Sequence, residues 1–178
     1  MNLRVIEKED VDFQFSCFNQ IDFWGEYTHP ASEQVPKWYL MQDIENPNDF
    51  RKTLEDRIFI VEKKDGTKIG FMWQFTCQPY GTLEVSCFLV PSERGKGYGA
   101  EATQLMVDYL FLSKDIVRIQ TDTNVGNKEA QKTLKKVGFK IEGTIRKFQL
   151  VRGVCNDFYL LSILREEWKE PKILTKTA

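Results

Sequence analysis

At 178 residues, with 42% hydrophobic and 29% charged residues, the chain can bury one sizeable core and carries no compositional sign of disorder. Lysine plus arginine (25) nearly balances aspartate plus glutamate (26), so no net positive field holds a long nucleic acid by its phosphates, and no nucleic-acid partner is expected. No run of about 18 apolar residues is present to span a membrane, and residues 1–10 lack the apolar core of a signal peptide, so a soluble cytoplasmic protein without a membrane partner is expected.

In chain order, residues 3–7 (L-R-V-I-E) read as a short strand, with Asp10 placed to cap a helix through Val11, Phe13, Phe15, Cys17 and Phe18. Residues 21–30 (I-D-F-W-G-E-Y-T-H-P) crowd Phe23, Trp24 and Tyr27 together with Asp22, Glu26 and the only histidine, His29. Aromatics at this density are usually core, and that reading is favoured over an aromatic slot rimmed by Asp22 and Glu26 for a cationic amine. A helix over 32–50, built around Trp38, Tyr39, Met41 and Ile44, is followed by strands at 57–63, 68–77 and 82–90. Asp65-Gly66 marks a hairpin, with a second turn near Pro79-Tyr80-Gly81, so the three strands form an antiparallel meander.

Past a turn at Pro91 comes Arg94-Gly95-Lys96-Gly97-Tyr98-Gly99-Ala100, and then a helix over 97–112 with Ala102, Leu105, Met106, Tyr109 and Leu110 on one face. A strand at 116–122 reached by this helical crossover is parallel to the one before it. Asn127 opens a helix through Ala130, Leu134 and Val137 that Gly138 stops. Residues 139–150 and 155–164 flank Arg152-Gly153 as a long hairpin, and a turn at 166–169 ends one domain over 1–170, leaving a polar tail at 171–178. The expected fold class is therefore α+β, with a mixed, mostly antiparallel sheet of about seven strands covered by helices. The four cysteines show no C-x-x-C spacing and His29 has no second histidine beside it, so no metal is expected.

The chemistry concentrates at the glycine-rich turn, where backbone N–H groups and a helix N-terminus converge on one point and favour a phosphate or pyrophosphate. Gly95-x-Gly97-x-x-Ala100 also satisfies the dinucleotide fingerprint, but hairpins precede it and only one parallel crossover follows, which disfavours that fold. Arg94-x-x-Gly97-x-Gly99 resembles the [QR]-x-x-G-x-[GA] signature of the GNAT superfamily of acetyl-CoA-dependent N-acetyltransferases. Asn127-x-x-Ala130-x-x-x-Leu134-x-Lys136-Val137-Gly138-Phe139, with Glu142-Gly143, Arg146 and Glu166-Glu167-Trp168, is similar to the Rim-type branch that acetylates ribosomal-protein N-termini.

The resemblance spans residues 2–170 and implies the acyl-CoA N-acyltransferase fold, with acetyl-CoA as co-substrate. It implies a pantetheine arm against the backbone of Phe88, Leu89 and Val90, and a pyrophosphate on the amides of Gly95, Lys96, Gly97, Tyr98, Gly99 and Ala100. Charge would come from Arg94 and Lys96, and a further contact from Asn127. It also implies Glu84 as the base, and a carboxylate short of water on a half-buried strand is a stronger base than one in solution. The family's usual sources of a proton for the departing thiolate, a tyrosine or a serine, are replaced by Leu134 and Ala130; Tyr159, a water or unassisted departure remains. The expected acceptor is a protein N-terminal amine or a small amine such as a polyamine or aminoglycoside, framed by 21–30 and the 148–157 hairpin. The alternative is a CoA-binding module with little or no turnover. A homodimer through the final two strands is compatible with either.

Overall fold

A computed structural model describes residues 1–27, 36–45, 56–77 and 81–173. The strands are β1 (Asn2–Val5), β2 (Arg57–Glu62), β3 (Lys68–Cys77), β4 (Thr82–Leu89), β5 (Arg118–Asn124), β6 (Lys140–Val151) and β7 (Val154–Leu164). The helices are α1 (Val11–Phe18), α2 (Ile21–Trp24), α3 (Lys37–Glu45), α4 (Tyr98–Ser113) and α5 (Lys128–Val137). His29 and Pro30, the ends of the helix expected over 32–50 and the turn at Pro79-Tyr80 lie outside the described residues.

The seven strands form one sheet in the order β1-β2-β3-β4-β5-β7-β6. Every neighbouring pair is antiparallel except β4 and β5, as expected of strands joined through a helix. Alternating side chains sort the core onto two faces. Leu83, Val85 and Leu89 of β4 join Ile119, Leu161 and Ile163 under Ala102, Met106, Leu110 of α4 and Leu134, Val137 of α5. On the other face Ile60 and Phe71, with Trp73 and Phe88 packed alongside, meet Cys17, Phe23 and Trp24. Among the described residues this second cluster draws nothing from β5, β6 or β7. Phe23 and Trp24 are thus core, as favoured, at 2% and 7% exposed, while Tyr27 stays half-exposed outside the cluster; each such burial contributes about 1.5–3 kcal/mol.

Some boundaries move for identifiable reasons. Strand β1 ends before Glu7 because the Glu7 N–H donates to Asp10 Oδ2 at 2.9 Å. Asp10 occupies the cap position of α1 without capping it. Its carboxylate, 0% exposed, instead binds Arg4 at 2.6 Å and Lys68 at 2.6 Å. Strand β5 lies two residues later than expected, because Val117 and Arg118 donate their N–H groups to Gly81 O and Ile116 packs into the core ahead of the ladder. The β6–β7 turn is the two residues Arg152 (φ 50) and Gly153 (φ 81), both left-handed as a two-residue hairpin turn requires. Residues 172–173, expected as tail, are pinned: their N–H groups donate to the fully buried Asp108, each at 2.9 Å. No described helix is long and apolar enough to cross a membrane.

Burial alone would raise the pKa of Asp10, but hydrogen bonds from Arg4, Lys68 and the Glu7 N–H overrule it and hold it well below the ordinary value of 3.8. A carboxyl depressed in the folded state contributes stability that is full above the unfolded value and is lost as pH falls toward the folded one. Asp10→Asn is expected to cost about 3 kcal/mol at pH 7, because it takes the paired carboxylate from Lys68 and leaves Arg4 with Glu62 alone. Urea midpoints at pH 7 and pH 3 check this, with the gap between variant and wild type narrowing at the lower pH.

Candidate active site

The site grows from the place where β4 and β5 stop pairing. Their ladder runs only through Thr82–Arg118, Leu83–Ile119 and Glu84–Gln120. Beyond it β4 continues to Leu89 against β3, while β5 continues to Asn124 against β7. Two parallel strands are therefore held apart by their other neighbours, and their facing edges carry backbone groups left out of the ladder, of which Leu89 O is taken by Arg94 Nε at 3.0 Å. Val90 donates its N–H to Ile69 O at 2.9 Å, on the β3 side. By the alternation of an antiparallel ladder, Phe88 also faces β3, and Val85, Cys87 and Leu89 face the gap. Of Phe88, Leu89 and Val90, the backbone of Leu89 faces the gap and those of Phe88 and Val90 face β3.

At one end of the gap lies the glycine-rich turn. Gly95 (φ 73) and Gly97 (φ 88) adopt left-handed backbone that a side chain disfavours. Gly97 caps α4 with no side-chain bond, and Ala100 and Glu101 donate to Gly97 O. The amide of Ala100, expected in the anion cradle, is thus spent inside the helix. Among the described residues, those of Gly95, Lys96, Gly97, Tyr98 and Gly99 take no internal partner.

The side chains expected to add charge are engaged elsewhere. Arg94 Nε donates to Leu89 O at 3.0 Å, Nη1 to Asp22 O at 3.4 Å, and Nη2 to Phe23 O. Burial of this guanidinium lowers its pKa. Lys96 lies 3.1 Å from Glu93, which Lys63 also reaches at 2.7 Å, while Lys63 Nζ sits over the Tyr98 ring.

At the other end, Asn127 Oδ1 accepts from Ala130 N at 3.1 Å, the ordinary cap of α5. Its Nδ2 has no partner among the described residues. The loop before it is tied by Asn124 Oδ1, which accepts from Gly126 N at 2.8 Å, and by Gln131, which donates to Val125 O at 2.9 Å.

At the apex, Glu84 is half-buried and accepts from Gln120 Nε2 at 3.2 Å. Two strand positions further along β5, on the same face, is Asp122, whose pKa is raised to about 6 by burial and then by the charge of Glu84. Asp122 and Gln120 went unremarked in the sequence, although Arg118, Gln120 and Asp122 at alternate positions mark a polar strand face. Leu134 is buried and Ala130 half-buried, so neither of the usual proton-donor places holds a polar side chain.

Over the apex lies the segment 21–27. Arg94 holds it from the glycine-rich turn, and Arg152 Nη2 donates to Gly25 O at 2.9 Å from the hairpin. The Tyr27 ring rests on Gly126 so closely that a β-carbon there would stand 2.9 Å from Cε1. Arg152 thus ties the hairpin to the described part of 21–30. Among the described residues, no group of three metal-ligating side chains occurs.

Residues 1–140 match the Acetyltransferase (GNAT) domain family. The chain is 26% identical to an uncharacterized N-acetyltransferase, p20, of Bacillus licheniformis, over 94% of both chains. The spermidine N-acetyltransferase of Vibrio cholerae, solved in complex with CoA and spermine, superposes with a TM-score of 0.82 at 20% identity, over 94% of this chain and 96% of that one. The ribosomal-protein-S5-alanine acetyltransferase of Vibrio fischeri superposes at 0.78 and 24% identity, over 94% of each. The chain belongs to the GNAT acetyltransferase family and is an acetyl-CoA-dependent N-acetyltransferase with the acyl-CoA N-acyltransferase fold.

Arg94 joins three main-chain carbonyls with one planar fork, a geometry that lysine cannot copy. Arg94→Lys is expected to speed amide exchange of residues 21–27 by at least about tenfold while leaving α4 and the sheet unchanged. Hydrogen exchange followed by mass spectrometry reads this directly, and unchanged protection of 21–27 would show that the arginine is not the clamp.

Proposed function

We propose that the protein transfers the acetyl group of acetyl-CoA to a primary amine by direct attack within a ternary complex. The observation that carries this reading is the early end of the β4–β5 ladder, which sets Glu84 at the apex of a gap between the free amides of 95–99 and the Asn127 cap. In this reading the pantetheine arm lies along Val85, Cys87 and Leu89, the pyrophosphate sits on the amides of Gly95–Gly99, and Asn127 Nδ2 meets the arm. The residues fit that group: the glycine positions 95 and 97 face open space, where a β-carbon would meet nothing within 4 Å. Bound acetyl-CoA supplies the thioester carbonyl.

The arriving amine must be neutral to attack, and Glu84 takes its proton, directly or through water. The new C–N bond forms as the C–S bond breaks. With Leu134 and Ala130 in the usual donor places, the thiolate leaves unassisted or by way of water, which a thiol of ordinary acidity permits. An acyl-enzyme is disfavoured at Cys87, the cysteine nearest the gap, because burial pushes its thiol up to about 12.

The acceptor is a small polyamine-like or aminoglycoside-like amine or a protein N-terminus. The proteins named above act on spermidine and on a ribosomal-protein alanine, and both present an amine. A cytoplasmic location supplies acetyl-CoA and suits four free cysteines. The outer strand β6 exposes Phe148 (48%) and Leu150 (54%) beside Val154 (63%), which supports pairing of two copies along this edge. Light scattering tests that pairing, and a single-chain mass at micromolar concentration would argue against it.

Released thiol, measured with acetyl-CoA and a panel of amines, tests the reaction. Tight CoA binding with no turnover on any amine would favour a CoA-binding module instead. Glu84→Gln is expected to lower kcat/KM about 100-fold and leave CoA affinity nearly unchanged. An unaltered rate across the pH range would remove Glu84 from the mechanism.

A further inference from the structure

We infer that Asp122 is the second carboxylate of the acceptor site, holding the incoming ammonium against Glu84 and sharing the proton that the amine gives up before it attacks. This rests on the acetyl-transfer reading above and assigns a residue and a substrate charge to it.

The argument begins with position. Glu84 and Gln120 form the last rung of the β4–β5 ladder, and Asp122 is the next residue of β5 on that face, just beyond the point where the strands part. It is half-buried, on a strand that contributes no described residue to the aromatic cluster of α1 and α2.

Among the described residues, its carboxylate has no hydrogen bond and no ion pair. The charged groups around it come from three strands. Glu84 faces it from β4, Arg118 shares its own strand, and Glu142 lies across on β6. Arg118 is committed to Glu142 at 3.0 Å and to Gln120 at 3.3 Å, so it brings no counter-charge. Strand β7 places Leu160 beside Asp122 and Ser162 beside Gln120, and Ser162 donates to Glu142. A partly desolvated carboxylate next to another, with no cation from the protein, is unfavourable unless a ligand supplies one.

A second unpaired group lies on the same face. Trp73 Nε1 is buried without a partner, and Trp73 pairs across the ladder with Ser86, one same-face position beyond Glu84. Such an orphan donor costs about 1–3 kcal/mol in a closed core, and it is explained if an acceptor atom of a ligand reaches it.

The proton balance is straightforward. The substrate arrives as R–NH3⁺ and gives one proton to the carboxylate pair, from which it passes to solvent. The neutral amine attacks, the C–N bond forms and the C–S bond breaks. The remaining surplus N–H proton leaves the nitrogen and ends on the CoA sulfur. The raised pKa of Asp122, about 6, fits a pair that is ionised and able to bind a cation only above that pH. The acceptor rate, expressed as kcat/KM, therefore rises with pH through this region.

The test is Asp122→Asn, assayed with an amine that the wild type acetylates. The KM for the amine is expected to rise at least about tenfold, and the acid limb of the pH profile to move because the raised carboxyl of Asp122 is gone. CoA affinity and the melting temperature should stay near wild type, and Asp122→Glu should restore part of the amine affinity. An unchanged amine KM with an unmoved acid limb overturns the role of Asp122.

Should the variant fail to fold, the wild type still decides. A quaternary ammonium analogue of the acceptor is expected to compete at least about tenfold better than the neutral hydroxyl isostere, and equal inhibition overturns the proposal. A wild type that acetylates no amine at all refutes the acetyl-transfer reading itself, which is a different result from either of these.

Discussion

The structure depends on a ladder that ends early. Strands β4 and β5 share three rungs and are then drawn apart, β4 by its antiparallel partner β3 and β5 by β7. Each of those neighbours makes a longer and more complete ladder than the parallel pair does, so the sheet loses little by opening there. What it gains is an edge of backbone groups left out of the ladder inside a folded domain, with a helix N-terminus at one end and a helix cap at the other. A cofactor arm can satisfy those groups as a strand would, which is why a sheet interior can serve as a binding site.

Much of this was legible in the chain. Asp65-Gly66 and Arg152-Gly153 gave the hairpins, the helical spacing after Gly99 gave the single crossover, and Asn127 through Gly138 gave a helix with both ends marked. These signals are local, so short stretches carry them. The parting of the strands is not local: it follows from which partner each strand prefers, and no stretch of β4 alone records it. The same limit hid the fate of the charged residues. Arg94 and Lys96 beside three glycines suggest phosphate ligands, yet one arginine is drawn into carbonyls from a distant helix and the lysine leans on Glu93. Asp10 sits where a helix cap belongs and instead neutralises two cations, one of them 58 residues away.

The two faces of the sheet divide the labour. The α4–α5 face is continuous and apolar from β2 to β7, and it fixes the strands on which the gap depends. On the opposite face, among the described residues, the apolar cluster around Phe23 and Phe71 reaches β4, and Glu84, Gln120 and Asp122 follow it before Leu160 and Phe158 of β7. The two carboxylates thus stand beside an apolar cluster of the same face. A fully covered sheet would leave the Asp122 carboxyl too costly to ionise, and an open one would leave it ordinary.

Arg94 and Arg152 grip the segment over the site through carbonyl oxygens of Asp22, Phe23 and Gly25, not through side chains. A latch that reads only main chain is blind to the letters it holds. Exposed side chains of that segment, Asp22 and Glu26 among them, can therefore change without loosening the grip. Under the acetyl-transfer reading proposed above, acceptor preference would drift by substitution there while the residues beneath stay assembled, at little cost to the fold.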